Sequence, residues 1–178
     1  MATTYLERTQ GTGTSTTQWT ISMWVKRGTL GAVQRLMMAG DSSGSPDDYL
    51  FFQADDTLKF NVTGGAGILI TNRLFRDTGA WYHIVAVWDS PNDTAGDRMK
   101  LYINGVEETS FATDTNPAED TASTGFNVSG EEVTIGRSSY SSGEQYFDGV
   151  MAHVHFCDGQ VYAASDFGET DATSGIWV

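Results

Sequence analysis

The loop "DSPNDTAGD", residues 89–97, carries three regularly spaced aspartates, Asp89, Asp93 and Asp97. Carboxylates are hard oxygen ligands of the kind that calcium takes in irregular loops, so these residues are candidate calcium ligands. The loop does not follow the EF-hand pattern, and aspartates at a hairpin tip are ordinarily solvated turn formers. A second acidic loop, "DSSGSPDD" at residues 41–48, has the same character. The residue types leave open whether either loop binds calcium.

The stretch "HVHFC" places His153, His155 and Cys157 at alternate positions, hence on one face of a strand. Side chains at this spacing are near enough to share a transition metal. Alternation alone produces the same pattern whenever one strand face is polar, and no further ligand is identifiable. We therefore interpret the stretch as a strand with Val154 and Phe156 in the core and the imidazoles on a solvent or subunit face.

Aromatic side chains are a third group with binding potential, because their faces pack against the apolar side of pyranose rings. Tyr140, Tyr146 and Phe147 flank or lie in the loop "SSYSSGEQ" and are expected to be exposed, which makes them candidate ligand-binding residues. The alternative is that this loop is plain surface. The tryptophans of strongly patterned strands are assigned to the core instead: Trp19, Trp81 and Trp88.

Short strands are the elements that position these residues. In "WTISMWV", residues 19–25, the alternate residues from Trp19 to Val25 are apolar, which predicts a strand with one buried face. "YLFFQADDTLKFNV", residues 49–62, has two runs of apolar residues around a short polar turn, which predicts a hairpin.

The run "WYHIVAVW", residues 81–88, has apolar residues on both alternating faces, so it is predicted to be a central strand. "MKLYINGVEE" follows it and contains Asn104-Gly105, the pair that supplies two positive-φ residues to a type I′ hairpin turn. Only "YAASDFGE" near the end predicts a helical turn, with Ser165 as a cap for the residues that follow it.

Many short strands separated by Gly, Asp and Ser turns indicate an all-β protein. The run with two apolar faces needs cover on both sides, which favours an antiparallel two-sheet β-sandwich over a closed barrel. The length of 178 residues fits one domain, residues 1–178, with its core in residues 19–171.

The chain is strongly acidic, with 23 Asp and Glu against 10 Lys and Arg and a formal charge of -13. Such a charge repels phosphate backbones and anionic lipid surfaces, so neither nucleic acid nor a membrane is expected as a partner.

The sequence resembles the laminin G-like, or concanavalin A-like, jelly-roll domains. Those domains often carry five stretches that occur here in the same order: "WTISMWVKRG", "WYHIVAVWD", "KLYINGVE", "VTIGRSS" and "YFDGVMAHVHF". The resemblance covers residues 19–171 and implies a jelly-roll sandwich. More narrowly, residues 146–178 are similar to a version of this domain in structural proteins of tailed, particularly marine, bacteriophages.

The narrower resemblance implies a module at the virion surface, either a capsid decoration or a fibre-associated protein, whose partners are other capsid or tail proteins. No cofactor is required for that role. The alternative is a lectin-like domain that binds a cell-surface glycan with the help of calcium, because laminin G-like and pentraxin domains often bind calcium at the sandwich rim. Self-association into a homo-oligomer is compatible with both hypotheses.

Glycoside hydrolases on the same fold place two carboxylates about 5 Å apart with a Glu-x-Asp-x-x-Glu strand. The nearest stretch here is "ETDATS", where Glu169 and Asp171 match but Ser174 replaces the second glutamate. Because the carboxylate pair is incomplete, the sequence predicts that the protein is not an enzyme.

Overall fold

The structure, a computed structural model, describes residues 3–40, 47–139 and 145–178. Within these ranges the chain forms twelve β-strands and three short 3-10 helices. In chain order the strands are β1 (Leu6–Thr9), β2 (Gln18–Arg27), β3 (Gln34–Gly40), β4 (Asp48–Phe52), β5 (Thr57–Val62), β6 (Gly67–Leu74), β7 (Tyr82–Asp89), β8 (Met99–Ile103), β9 (Val106–Glu107), β10 (Phe111–Thr115), β11 (Glu132–Ile135) and β12 (Gly149–Asp158). The 3-10 helices are Thr63–Gly65, Ala95–Asp97 and Ala164–Asp166. In the described ranges no helix has the length and apolar character needed to cross a bilayer.

The strands form two sheets. The larger sheet has seven strands in the order β1-β11-β3-β4-β5-β6-β10, and the smaller has five in the order β12-β2-β7-β8-β9. Every pairing between these strands is antiparallel. The predicted all-β, two-sheet antiparallel sandwich is therefore confirmed.

The core lies between the two sheets and follows from alternation along the strands. Trp19, Ile21, Met23 and Val25 on β2 are fully buried, as a period of two predicts. The Trp19 ring meets Phe60 of the larger sheet edge-on, with ring centroids 5.8 Å apart. Pairs of this kind add to the free energy gained by burying the ring surfaces.

Both predicted hairpins are confirmed. β4 and β5 pair across the turn, with Tyr49 opposite Asn61. β8 and β9 pair across Asn104 and Gly105, whose φ angles are 51° and 79°. Two positive φ values are what a type I′ turn requires.

The central position of β7 is also confirmed, since it lies between β2 and β8. One of its faces lies in the core between the sheets, and the other is covered by residues 163–178, which we call the C-terminal cover. The core-facing residues are Ile84, Ala86 and Trp88. Val85 and Val87 on the opposite face pack with side chains that include Ala164, Phe167 and Trp177 of the cover.

Two local predictions are wrong. Trp81 was assigned to the core, but β7 begins at Tyr82 and the Trp81 side chain is 39% exposed. The helical turn near the C-terminus exists, but Ser165 lies inside it rather than at its cap. The residue before the helix is Ala163, whose backbone N–H donates to the Asp166 carboxylate at 2.8 Å.

Candidate functional site

The edges of the two sheets border a groove. β1 is an edge strand of the larger sheet, β12 is an edge strand of the smaller, and a cavity of about 620 Å³ lies between them. We call this cavity the edge groove. Its volume falls in the range of roughly 300–1,000 Å³ that is typical of ligand sites.

One wall of the edge groove is formed by β1 and β11. Leu6 pairs with Ile135 and Arg8 pairs with Val133, so these four side chains lie on the same face of the larger sheet. Val133 and Ile135 pack against the core between the sheets, so this face is the inner one. Leu6 belongs to the edge strand of this sheet and is 68% exposed.

The opposite wall is formed by β12. Val154 and Phe156 point inward and pack against the core, as the sequence predicted for them. The Phe156 ring lies 5.3 Å from the ring of Phe126, a residue that also lines the groove. The groove therefore has an apolar interior flanked by two strand edges.

A network of hydrogen bonds closes one end of the edge groove. The Asp158 carboxylate accepts from the backbone N–H of Thr14 at 2.7 and 2.9 Å and from Asn127 Nδ2 at 2.7 Å. The Gln10 side chain accepts from the Asn127 backbone N–H at 2.9 Å. A Cβ on Gly13 would lie 2.5 Å from the Asn127 side chain, so this close approach requires glycine. The polar end of the groove is thus held in place before any ligand binds.

Asp48 fixes the loop that carries Phe126. This fully buried carboxylate accepts from the Ser123 hydroxyl and from the backbone N–H groups of Gly125 at 2.9 Å and Phe126 at 2.8 Å. Burial raises the pKa of Asp48, while these hydrogen bonds act to lower it. In the second predicted calcium loop, residues 41–46 lie outside the described residues, and Asp48 at its end is engaged in this structural role.

Arg8 is the cation of the edge groove. In the described ranges its guanidinium has no ion-pair partner. Its neighbour Glu7 forms an ion pair with Arg137, whose guanidinium lies 4.0 Å from the centroid of the Tyr5 ring. Arg8 therefore keeps its donors for solvent or a ligand.

The predicted aromatic ligand site is only partly accessible. Tyr140 lies outside the described residues. Tyr146 is half-buried and its ring centroid lies 6.1 Å from that of Tyr5, close to β1 but not in the lining of the edge groove. Phe147 is buried in the core between the sheets, so its expected exposure is wrong.

The aspartates of the predicted calcium loop are not gathered around one point. Asp89 Oδ1 accepts from Gln18 Nε2 at 2.8 Å, and Asp97 Oδ1 lies 2.8 Å from Lys100 Nζ. Asp93 is exposed. Among the described residues no group of three or more His, Cys, Asp or Glu side chains is close enough to hold a metal ion. Calcium binding here would require these contacts to rearrange, and it stays a prediction.

The "HVHFC" stretch forms part of β12, but a bulge interrupts its alternation. The pairing with β2 shifts between Ala152 and His155, and His153 has a φ of 48°. The His153 and His155 rings lie 6.5 Å apart, and both border a second cavity, of about 250 Å³, together with His83 of β7. All the histidines of the chain thus meet on the outer face of the smaller sheet.

The stretch that partly matches the hydrolase motif lies in an exposed terminal hairpin. Thr170 and Trp177 form its bridge, and Glu169 is exposed. Asp171 accepts hydrogen bonds from the Ser174 hydroxyl and backbone at 2.7 Å, and these bonds lower the pKa of its carboxyl group. This geometry is that of a turn-capping aspartate.

Sequence reasoning missed the residues that build the edge groove. Leu6 and Arg8 belong to a four-residue strand in which all side chains are exposed, so no apolar alternation marks it. Gln10 and Asn127 meet from positions 117 residues apart. The detectable signal was in β11, where Val133 and Ile135 alternate in a way that predicts an inner face.

Comparison with known proteins agrees with this architecture. A laminin G family model, described as the concanavalin A-like lectin/glucanases superfamily, matches residues 2–165. No curated protein matches the chain. Among solved structures, the heptameric SAP-like pentraxin from Limulus polyphemus is 19% identical, with a TM-score of 0.57 over 84% of this chain and 68% of the pentraxin.

Two further similar structures have carbohydrate ligands. CBM40 of Ruminococcus gnavus IT-sialidase, bound to α2,3 sialyllactose, is 13% identical with a TM-score of 0.58, over 90% of this chain and 95% of that one. Domain 4 of AbnA, an extracellular arabinanase from Geobacillus stearothermophilus, in complex with arabinotriose, is 18% identical with a TM-score of 0.52. Here the match covers 83% of this chain and 64% of the other. At these identities the similarity shows a shared fold.

Proposed function

Because the chain belongs to the concanavalin A-like lectin/glucanases superfamily, we propose that it is a non-catalytic carbohydrate-binding module whose edge groove holds the glycan. The observation that carries this proposal is the construction of the groove. An apolar interior lies beside polar groups that are already ordered, and a cation with no ion-pair partner among the described residues projects from β1. Ligand sites generally combine apolar walls with a few fixed polar groups in this way.

Carbohydrate is the ligand class that the fold neighbours support. Sialyllactose and arabinotriose occupy two proteins of similar fold, and we take from them the class of ligand alone. In the edge groove, the apolar face of a sugar ring would pack against Phe156 and Leu6. The Arg8 guanidinium has five N–H donors, which suit ring hydroxyls or the carboxylate of an acidic sugar.

A glycan array with the purified chain tests the proposal, with calcium and with a chelator. We expect binding to at least one oligosaccharide class, and Arg8→Gln should weaken that binding about tenfold or more because a hydrogen bond to a charged group is lost. Arg73→Gln is the matched control. Arg73 is half-exposed and pairs with Glu108 beside the opposite edge of the sandwich, so its loss should leave affinity unchanged. A silent array in both conditions, or equal effects of the two variants, would contradict the proposal.

The non-catalytic part of the proposal is supported by the position of Glu169 and Asp171 in the exposed terminal hairpin, away from the edge groove. Incubating the chain with an oligosaccharide that it binds, and following the products by chromatography, tests this part. We expect the oligosaccharide to remain intact. Release of reducing ends by the chain, if abolished in Glu169→Gln, would establish hydrolysis instead.

We further propose that the chain is displayed on a bacteriophage virion, as a capsid decoration or fibre-associated protein. The support is the resemblance carried by residues 146–178, which form β12 and the C-terminal cover. Glycan binding and display are compatible, because a surface module on a particle can attach that particle to a host. Mass spectrometry of purified particles from the source tests the idea, and the absence of the chain from those particles would contradict it.

A further inference from the structure

His83 on β7 joins the smaller sheet to the C-terminal cover. Its Nε2 lies 2.9 Å from the Ser22 hydroxyl of β2, and its Nδ1 accepts a hydrogen bond from Trp177 Nε1 at 2.9 Å. The planes of the His83 and Trp177 rings are nearly parallel, with centroids 5.8 Å apart. The His83 ring also stacks against Trp24, with centroids 4.9 Å apart. His83 therefore contacts two indoles.

The protonation state of His83 follows from its partners. An indole N–H is a donor only, so Nδ1 must carry a lone pair, and the proton of the neutral ring must lie on Nε2, directed at Ser22. Adding a proton to Nδ1 would place two N–H donors against each other. The hydrogen bond that fixes Trp177 cannot survive this change.

In the described residues, the side chains that face His83 are uncharged groups or other imidazoles. β2 contributes Ser22 and Trp24, β12 contributes His153 and His155, and the C-terminal cover contributes Phe167, Trp177 and the backbone of Val178. In the β8–β9 turn, Asn104 Oδ1 is already occupied by the His83 backbone N–H at 2.7 Å. As far as the described residues go, no side-chain carboxylate lines this cavity. Burial, and secondarily the charge of His155, lower the pKa of His83 to about 4.

The cover is attached to the sheet by few other polar contacts. The terminal hairpin is closed mainly by its own backbone, as in the bonds that Glu169 and Val178 exchange. It is docked through the Phe167 and Trp177 side chains, which pack over Val85 and Val87. Loss of the Trp177 hydrogen bond therefore acts on the main anchor.

We propose that protonation of His83 releases the C-terminal cover from the smaller sheet, so that acid exposes the apolar outer face of β7. The sign follows from linkage. The docked state binds protons less well than the undocked state, in which His83 would titrate near 6.5, so docking weakens as pH falls below that value. With a docked pKa of about 4, the docking equilibrium constant falls about 30-fold between pH 8 and pH 5.

The test uses the intact chain labelled with ¹⁵N, because each indole N–H gives its own signal. The Trp177 signal, assigned with Trp177→Phe, should lose its docked position between pH 6 and pH 4. The signals of Trp19 and Trp88, which are fully buried between the sheets, should stay unchanged over that range. If the Trp177 signal persists until all the indole signals change together, the proposal is wrong.

Two substitutions distinguish the role of His83 from that of His155. His83→Gln cannot be protonated and keeps an acceptor for Trp177, so the transition should disappear. His155→Gln removes an imidazole that borders the same cavity without bonding Trp177, so the transition should remain and move to higher pH. An unchanged transition in His83→Gln, or its loss only in His155→Gln, would overturn the proposal.

Should His83→Gln fail to fold, Trp177→Phe provides a second readout. In this variant the pKa of His83 should rise by about half a unit to one unit, because the hydrogen bond that favours the neutral ring is lost. No rise in the pKa of His83 would refute the proposal.

Discussion

Replacing Asp56 with asparagine should destabilise the fold more than the same substitution at Asp55, the neighbouring aspartate in this turn. Asp56 pairs with the fully buried guanidinium of Arg27, with Arg27 Nη1 3.1 Å from Asp56 Oδ1. The carboxylate also accepts from the Gly31 backbone N–H at 2.9 Å and from Arg76 Nε at 3.0 Å. Asparagine keeps the shape and tolerates the φ of 70° at this position, so the substitution removes the charge and little else.

The expected loss in the free energy of unfolding depends on the contacts that Arg27 keeps in the Asp56→Asn variant. Arg27 Nη1 still donates to the Phe75 carbonyl at 2.7 Å, and the guanidinium still lies 4.4 Å from the centroid of the Phe52 ring. Breaking a buried ion pair from one side ordinarily costs about 3–5 kcal/mol, and the retained contacts place this case near 3 kcal/mol. Arg27→Met in the Asp56→Asn background should recover most of the loss, because it removes the buried charge that lacks a partner.

Urea unfolding at pH 7 measures these free energies, with the slope against urea checked for constancy. Asp55→Asn is the control, since Asp55 is exposed and bonds only locally to Thr57 in this turn. The double-mutant cycle between positions 27 and 56 should give a coupling of at least about 1 kcal/mol. A coupling near zero, or equal costs for the Asp55 and Asp56 variants, would refute the reasoning.

Acid provides an independent check on the same pair. Burial acts to raise the pKa of Asp56, but the hydrogen bonds from Gly31 and Arg76 and the charge of Arg27 outweigh it, so the pKa is lowered. A carboxylate with a lowered pKa stabilises the fold above its unfolded pKa near 3.9, and this stabilisation is lost as pH falls through the folded value. Asp56→Asn should therefore flatten the fall in stability on the acid side, below pH 4.

Three further predictions concern single positions. Gly105→Ala should lower the melting temperature more than Gly130→Ala. Both glycines have positive φ, but only a Cβ at Gly105 would meet Trp177. Equal melting temperatures of the two variants would show that the indole moves freely. Asp158→Ala should speed amide hydrogen exchange at the closed end of the edge groove, because Thr14 N, Ser15 N and Asn127 Nδ2 lose their acceptor. Unchanged exchange would mean that other contacts hold this end in place. If calcium binds the loop after β7, millimolar calcium should raise the melting temperature, and Asp93→Asn should remove that rise; no rise in the unsubstituted chain would rule the loop out.

Alternation of apolar residues in the sequence predicted those strands in which the alternate residues are buried. β2 and β7 were found because alternate residues face the core, and β7 was correctly placed in the interior because both its faces are apolar. The β8–β9 turn was found because Asn104-Gly105 meets a backbone requirement directly. In each case the deciding physics lies within a few neighbouring residues.

The candidate site was not accessible to the same reasoning. β1 has no buried face, and its role depends on pairing with β11, over a hundred residues further on. The loop around Phe126 reads as a polar stretch, yet Asp48 anchors it from 78 residues away. His83 is one polar residue in an apolar run, and the hydrogen bond that it accepts from Trp177 joins positions 94 residues apart. Such contacts depend on topology, which local composition does not specify.

The bulge in β12 has a consequence for how the chain behaves at high concentration. β12 is an edge strand, and an unbroken edge offers a row of backbone donors and acceptors to any passing strand. At His153, whose φ is 48°, the bulge interrupts this row of backbone donors and acceptors. A strand from another molecule therefore cannot form a continuous ladder of hydrogen bonds along β12. With a net charge of -13 repelling identical copies, the edge is protected against fibrous aggregation.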